Sequence, residues 1–218
     1  MKSQGLLTGV SFLALIALAG CGSGDDRLKE KAGIEGQISA EKALEVENNN
    51  RTKRAQEMEA DLQKRHRFYQ AVKGTYEGQF SEEGGKTWSI RFTFVPSLPP
   101  YQTDRVRAYE EIVADLNNLY LNVQVIQWSS DGYPAAGCKA EHIRPDIDRG
   151  EISIATSECP VYYDLALSGA AGGQTQQSSE LAKQISEGSL RTVGDIQGSG
   201  SSTTYPKPFK FAVSRVVQ

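Results

Sequence analysis

Cysteine and histidine, which form many reactive and metal-binding sites, are scarce in this sequence. Its 218 residues include three cysteines and two histidines, His66 and His142. Basic and acidic residues nearly balance, with 24 Lys and Arg against 27 Asp and Glu and a formal charge of −3. A nucleic-acid surface needs a concentrated basic stripe, and here the basic residues of the N-terminal third alternate with acidic ones. The composition therefore argues against a nucleic-acid partner.

Long apolar runs are also absent, except at the N-terminus. There Lys2 supplies a positive charge, and a mostly apolar run extends from Leu6 to Ala17. The run is too short and too early for a membrane-spanning helix, so it predicts a secretory signal peptide over residues 1–20. This boundary places the cleavage site directly before Cys21. The alternatives are an ordinary signal peptide in which that cysteine is incidental, or an uncleaved N-terminal helix.

The tetrapeptide Leu18-Ala19-Gly20-Cys21 resembles the lipobox of bacterial lipoproteins. In that family the leader is cleaved before the cysteine, whose sulfur and new amino group then carry acyl chains. The resemblance implies lipidation of Cys21, attachment to a membrane through the acyl chains and a location in the bacterial cell envelope. Gly22 stands where enterobacterial members retained in the inner membrane carry aspartate, so the resemblance favours the outer membrane. No family is recognised for the remainder of the chain.

The other two cysteines form a natural pair once Cys21 is lipidated. Exported proteins preserve disulfides, so we expect a Cys138–Cys159 bridge that closes a loop of about twenty residues. A metal site made of Cys138, His142 and Cys159 is the alternative, but the chain lacks the paired Cys-x-x-Cys spacing of zinc sites. We therefore expect no metal and no cofactor.

The mature chain is predicted to begin with a tether and a helix. Residues 21–38 start with a Gly/Ser/Asp-rich stretch and predict a flexible tether. Helix-forming residues predict a charged helix over 39–73, which Asn48-Asn49-Asn50 would interrupt. Its second half carries apolar residues three or four apart, from Ala55 to Val72. This short seam favours a single helix docked on the next domain over a coiled-coil stalk.

In residues 74–218 the spacing of apolar residues changes to a period of two, which predicts a β-rich globular domain. Trp88, Ile90, Phe92 and Phe94 share one face of a strand, and residues 161–167 and 209–214 alternate in the same way. Helical spacing is confined to residues 104–118 and a short segment near Leu181, whereas 168–179 and 198–202 are expected to be solvated loops.

These elements predict a mainly β fold with some α: a small antiparallel β-barrel or curled sheet with one or two short helices. An amphipathic last strand would pair with the first strand and close the sheet. The first strand, Gly-Thr-Tyr-Glu-Gly, resembles that of lipocalin-like barrels.

Aromatic residues are the only candidates for a ligand site. Trp88, Phe92, Trp128 and Phe211 would line a cavity in a hollow barrel. The same residues would fill a packed core, and inward positions that look uniformly bulky favour packing.

No arrangement of residues predicts catalysis. Glu110, Glu111 and Asp115 are interpreted as solvated charges on a helix, and the acidic stretch 146–151 as a turn rather than a calcium loop. We expect a non-enzymatic structural or interaction module, with other envelope proteins as candidate partners. The alternative is a carrier or sensor of a small apolar ligand in a lipocalin-like barrel.

Overall fold

The described part of the chain divides into two units, with the boundary between Arg51 and Thr52. The computed structural model describes residues 24–81, 87–100, 107–129, 138–156, 161–171, 174–202 and 209–217. The predicted signal peptide and Cys21 lie outside these residues. Within the described residues, none of the helices combines the length and the apolar character needed to cross a membrane.

Helix α1 spans Gly24–Val72, so it begins well before the predicted start at Ser39. Residues 24–38, predicted to be a flexible tether, are helical, and Asn48-Asn49-Asn50 do not interrupt the helix. Helix formation is cooperative, and each residue added to an existing helix adds one hydrogen bond. This gain offsets the low helix propensity of residues such as asparagine. In the second unit, Leu62, Phe68 and Val72 are buried in the core, which is the arrangement of a docked helix.

In the part of the chain that the structure describes, ten strands and two short helices follow α1. The strands are β1 (Gly74–Ser81), β2 (Thr87–Ser97), β3 (Tyr120–Ser129), β4 (Cys138–Asp146), β5 (Glu151–Thr156), β6 (Val161–Ser168), β7 (Ala170–Ala171), β8 (Gln174–Thr175), β9 (Asp195–Ser202) and β10 (Phe209–Arg215). The helices are α2 (Tyr109–Asn118) and α3 (Ser178–Glu187). Helix α2 is shorter than the predicted 104–118, and residues 101–106 lie outside the described part.

Eight of the strands form a closed antiparallel barrel in the order β1-β10-β9-β6-β5-β4-β3-β2. The last strand pairs with the first, with Tyr76 opposite Arg215 and Gln79 opposite Ala212. This closure leaves the barrel without an open sheet edge. The predicted fold, a small antiparallel barrel with short helices, is confirmed.

Two strands of the barrel had no signal in the sequence. Residues 198–202, expected to be a solvated loop, belong to β9, which pairs with both β6 and β10. Strand β4 was missed because its register shifts between Ala140 and His142, which disturbs the alternation of inward and outward residues. The expected loop 168–179 contains β7, β8 and the start of α3.

Candidate functional site

Aromatic side chains around Phe92 occupy the middle of the barrel. The centroid of its ring lies 5.3 Å from that of Tyr163, 5.5 Å from that of Phe211 and 6.3 Å from that of Phe94. Phe92 and Tyr163 are completely buried, and Phe211 is almost so. Centroid separations of this size are those of rings in direct contact. The middle of the barrel is therefore a packed aromatic core.

A second group of rings continues this core along the barrel. Phe80 stacks on Phe209 with centroids 4.3 Å apart and on Trp88 with centroids 6.3 Å apart. Phe209 in turn lies 6.0 Å from Phe211. Three of the residues predicted to line a ligand site, Trp88, Phe92 and Phe211, thus belong to one continuous set of contacting rings.

The remaining predicted site residues are described only in part or not at all. Trp128 pairs with Ser89 across β3 and β2, and Cys138 pairs with Val125 at the start of β4. The side chains of Trp128 and Cys138 lie outside the described part, as do the whole of Cys159 and Cys21. The disulfide and the lipidation therefore stay predictions.

Small residues face the large ones inside the barrel, so the expectation of uniformly bulky inward positions was wrong. A β-carbon added to Gly198 would stand 2.5 Å from Cζ of Phe211 and 2.8 Å from Cδ2 of Leu165. Gly200 stands in the same relation to the ring of Phe209. Because the rings occupy the room that the glycines leave, these small residues create a tight fit rather than a cavity.

Two polar atoms of the aromatic core have no hydrogen-bond partner among the described residues. They are the hydroxyl oxygen of Tyr163 and Nε1 of Trp88, both shielded from solvent. Burial raises the pKa of Tyr163 above its usual range, because the ionised phenolate would lose its hydration there. An unpaired buried polar group is costly, so these two atoms mark where a water molecule or a ligand would gain most by binding.

The hydroxyl of Tyr76, in contrast, has a hydrogen-bond partner. This hydroxyl donates a hydrogen bond to the backbone oxygen of Val193 at 3.1 Å. The guanidinium carbon of Arg215 lies 5.4 Å from the centre of the Tyr76 ring, a cation–π distance. Burial raises the pKa of Tyr76 to about 12, although the positive charge of Arg215 opposes the shift. This tyrosine joins β1 to the segment before β9.

The acidic residues considered in the sequence have structural partners. Asp115, expected to be a solvated charge, accepts a hydrogen bond from Arg107, whose side chain is only 6% exposed. Asp146 accepts a hydrogen bond from the backbone of Arg149 at 3.1 Å, in the turn that was expected before β5. The described residues contain no group of three or more metal-ligating side chains.

A groove on the outer wall of the barrel was not foreseen. It has a volume of about 210 Å³ and runs along β5 between β4 and β6. Six outer-face residues line it: His142, Arg144, Ser153, Ala155, Tyr162 and Asp164. We call it the β5 groove. Sequence reasoning missed it because its residues come from three strands, one of which was not predicted.

The register of the three strands explains the shape of the β5 groove. His142 and Tyr162 flank Ala155 in one row, and Arg144 and Asp164 flank Ser153 in the next. Short side chains on the central strand between longer ones on its neighbours leave a depression in the wall.

Comparison with protein-family models, with curated proteins and with solved structures found no match to this chain. The function must therefore be argued from the residues and their arrangement.

Proposed function

We propose that this protein is a lipid-anchored component of the bacterial cell envelope that acts as a non-enzymatic interaction module. The location rests on the lipobox-like tetrapeptide that ends at Cys21. The mode of action rests on one structural observation: aromatic rings in contact fill the middle of the barrel. A filled barrel offers its outer wall, rather than its interior, to other molecules.

Two acyl chains would make the attachment long-lived, whereas a single chain holds a protein only marginally. The anchor would keep the barrel close to the membrane surface and raise its effective concentration for envelope partners. A folded module with an exposed wall, carried on such an anchor, would suit this role.

Metabolic labelling with a clickable fatty acid tests the anchor. We expect label on the wild-type protein and none on the Cys21→Ser variant. Cross-linking in intact cells then tests the module, and we expect a defined adduct that depends on Cys21. A protein that carries no label, or a labelled protein that never forms an adduct, would refute the proposal.

A second candidate function is that of a carrier for one small ligand inside the barrel. Two observations favour it: the Tyr163 hydroxyl and Trp88 Nε1 are buried without a partner among the described residues. Eight-stranded barrels are wide enough either to be filled by side chains or to hold one small ligand. The ligand of such a carrier would be largely apolar and would offer a hydrogen-bonding group to these atoms.

Native mass spectrometry of the purified protein separates the two candidates. A bound small molecule that is lost in Tyr163→Phe but retained in Tyr162→Phe would favour the carrier. The exposed Tyr162 is a suitable control because it lies next to Tyr163 on the opposite face of β6. A mass that corresponds to the protein alone favours the interaction module.

A further inference from the structure

The β5 groove has the dimensions of a slot for one flat side chain. His142 and Tyr162 lie on strands that flank β5, and both are opposite Ala155. Because neighbouring strands are about 4.8 Å apart, residues two strands apart stand about 10 Å from each other. A methyl group at Ala155 cannot fill the space between the two rings. A guest ring inserted there would contact an aromatic face on either side.

Among the large apolar residues described in the barrel wall, Tyr162 is more exposed than Val95 and Tyr120. Its side chain is 61% exposed, whereas Tyr76 and Tyr163 in the interior are completely buried. Tyrosine and arginine are the residues that most often supply the binding energy of protein–protein contacts, together with tryptophan. The β5 groove holds both Tyr162 and Arg144 within two neighbouring rows.

The charged residues beside the slot indicate which kind of guest it would bind. Arg144 is exposed and makes no ion pair or hydrogen bond within the described residues. The other charge of the groove, Asp164, already accepts a hydrogen bond from the hydroxyl of Ser153 at 2.8 Å. The free cation is thus better placed than the engaged carboxylate to pair with a guest, which favours an anionic group.

We propose that the β5 groove binds a segment of a partner protein that carries an aromatic side chain next to a carboxylate. The aromatic side chain inserts between His142 and Tyr162 over Ala155, and the carboxylate pairs with Arg144. This inference rests on the proposed function, because it identifies the surface through which the interaction module recognises its partner.

A titration followed by NMR tests the proposal on the full mature chain, with Cys21→Ser to prevent lipidation. The probe is the capped peptide Gly-Phe-Asp-Gly. We expect it to shift the signals of Ala155, Tyr162 and Arg144 before those of any residue outside the groove. Arg144→Glu and Tyr162→Ala should each weaken binding about tenfold, the loss of one dominant contact.

Matched controls are available elsewhere on the protein surface. Lys210→Glu makes the same change of charge at an exposed position on β10, and Tyr120→Ala removes an exposed tyrosine from β3. Both variants should bind the peptide as the wild type does. Folding of all four variants is checked by their amide spectra, so a loss of binding is not mistaken for a loss of structure.

Three further probes give outcomes that would overturn the proposal. Equal binding of Gly-Phe-Lys-Gly would show that the acidic group is not recognised, and equal binding of Gly-Ala-Asp-Gly would show that no ring inserts. Binding of 3-phenylpropionate without binding of the Phe-Asp peptide would assign the groove to a small acid instead of a protein. Shifts confined to other surfaces would exclude the groove altogether.

The test also separates this proposal from the function on which it rests. Peptide binding is measured on the unlipidated protein, so it does not depend on fatty-acid labelling at Cys21. If labelling and cross-linking succeed in cells but the peptide fails to bind, the module uses another surface. If the peptide binds but Cys21 is never labelled, the proposed envelope location is wrong, whereas the proposed binding site in the β5 groove is supported.

Discussion

The ring of Phe211 lies against Gly198 on the neighbouring strand, where a β-carbon would stand only 2.5 Å from its Cζ atom. Leu165 closes the same space from the other side, with its Cδ2 atom 2.8 Å from that position. Because Gly198 has no side chain, the ring of Phe211 can pack directly against the backbone of β9.

Gly198→Ala should therefore destabilise the barrel by about 1–3 kcal/mol, the usual cost of overpacking a filled core. Neither Phe211 nor Leu165 can withdraw easily, because both are buried. The free energy of unfolding from a denaturant titration measures the loss. Gly194→Ala is the control, since an added β-carbon there meets nothing within 4 Å. Equal stability of the two variants would contradict the packing described here.

Arg107→Ala should cost about 3 kcal/mol, the low end for removing one partner of a buried ion pair. Arg107 contacts Asp115 on α2, and its Nη1 atom lies 3.6 Å from a carboxylate oxygen of Glu59 on α1. Its loss would deprive the carboxylates of Glu59 and Asp115, which are 22% and 24% exposed, of the cation they share.

The exposed pair of Arg149 and Asp146 supplies the comparison for this prediction. The two side chains are 71% and 50% exposed, and their charged atoms are 3.7 Å apart. Solvent screens such a pair, so Arg149→Ala should change the free energy of unfolding by less than about 1 kcal/mol. A cost at Arg107 no larger than that at Arg149 would show that the buried network does not hold α1 and α2 in place.

The stability of the protein should fall as pH rises from 10 to 12, in part because of Tyr76. Its pKa rises from the usual 10.0 to about 12 in the folded protein, mainly through burial. Above pH 10 the unfolded chain releases this proton while the native state retains it. Stability is then lost by about 1.4 kcal/mol per pH unit until the folded pKa is reached.

Tyr76→Phe removes the ionisable group and should flatten the dependence of the unfolding free energy on pH over this range. The variant starts from a lower stability, because the backbone oxygen of Val193 loses its hydrogen bond. Tyr120→Phe, at an exposed position, should leave the slope unchanged. A slope that is the same in all three proteins would contradict the assignment.

Only the second half of α1 should contribute to the stability of the barrel. Leu62 is 1% exposed in the core, so Leu62→Ala should cost about 2–5 kcal/mol. Every described side chain from residue 35 to residue 54 is exposed. A chain that begins at Thr52 should therefore keep the melting temperature of the full protein. A clear drop in that temperature would show that the first half of α1 also supports the fold.

The Cys138–Cys159 disulfide can be tested by mass spectrometry of peptides from the unreduced protein. We expect a linked pair that disappears on reduction, and a loss of about 3 kcal/mol in Cys138→Ser, which is the entropy of closing a loop of about twenty residues. Cys21→Ser should leave the linked pair intact. Two free thiols in protein isolated from an oxidising compartment would refute the bridge.

The class of the fold was readable from the sequence because alternation along a strand reports a buried face. Residues 88–94 and 161–167 alternate over their whole length, and the structure places both in the barrel wall. The same logic identified the closing strand, in which Phe211 and Val213 face inward. Alternation can be recognised within one strand without knowing which strand pairs with it, so local sequence was sufficient here.

Local sequence was not sufficient where a position depends on a distant partner. Gly198 has no side chain to signal a strand, and its role became visible only with Phe211 beside it. Asp115 looked solvated because its partner Arg107 is held in place by Glu59, which comes from α1. The β5 groove requires β4, β5 and β6 to pair in register, so it exists only once these three strands have formed a sheet.

The sequence by itself determined the barrel class, because alternation can be recognised within a short stretch of chain. The lipid anchor rests on one tetrapeptide and stays a prediction. Tertiary structure alone decided that aromatic rings in contact occupy the middle of the barrel and that the outer wall carries a groove. Both features arise from side chains on different strands, and the pattern within a single strand does not record which residues of the other strands stand beside it.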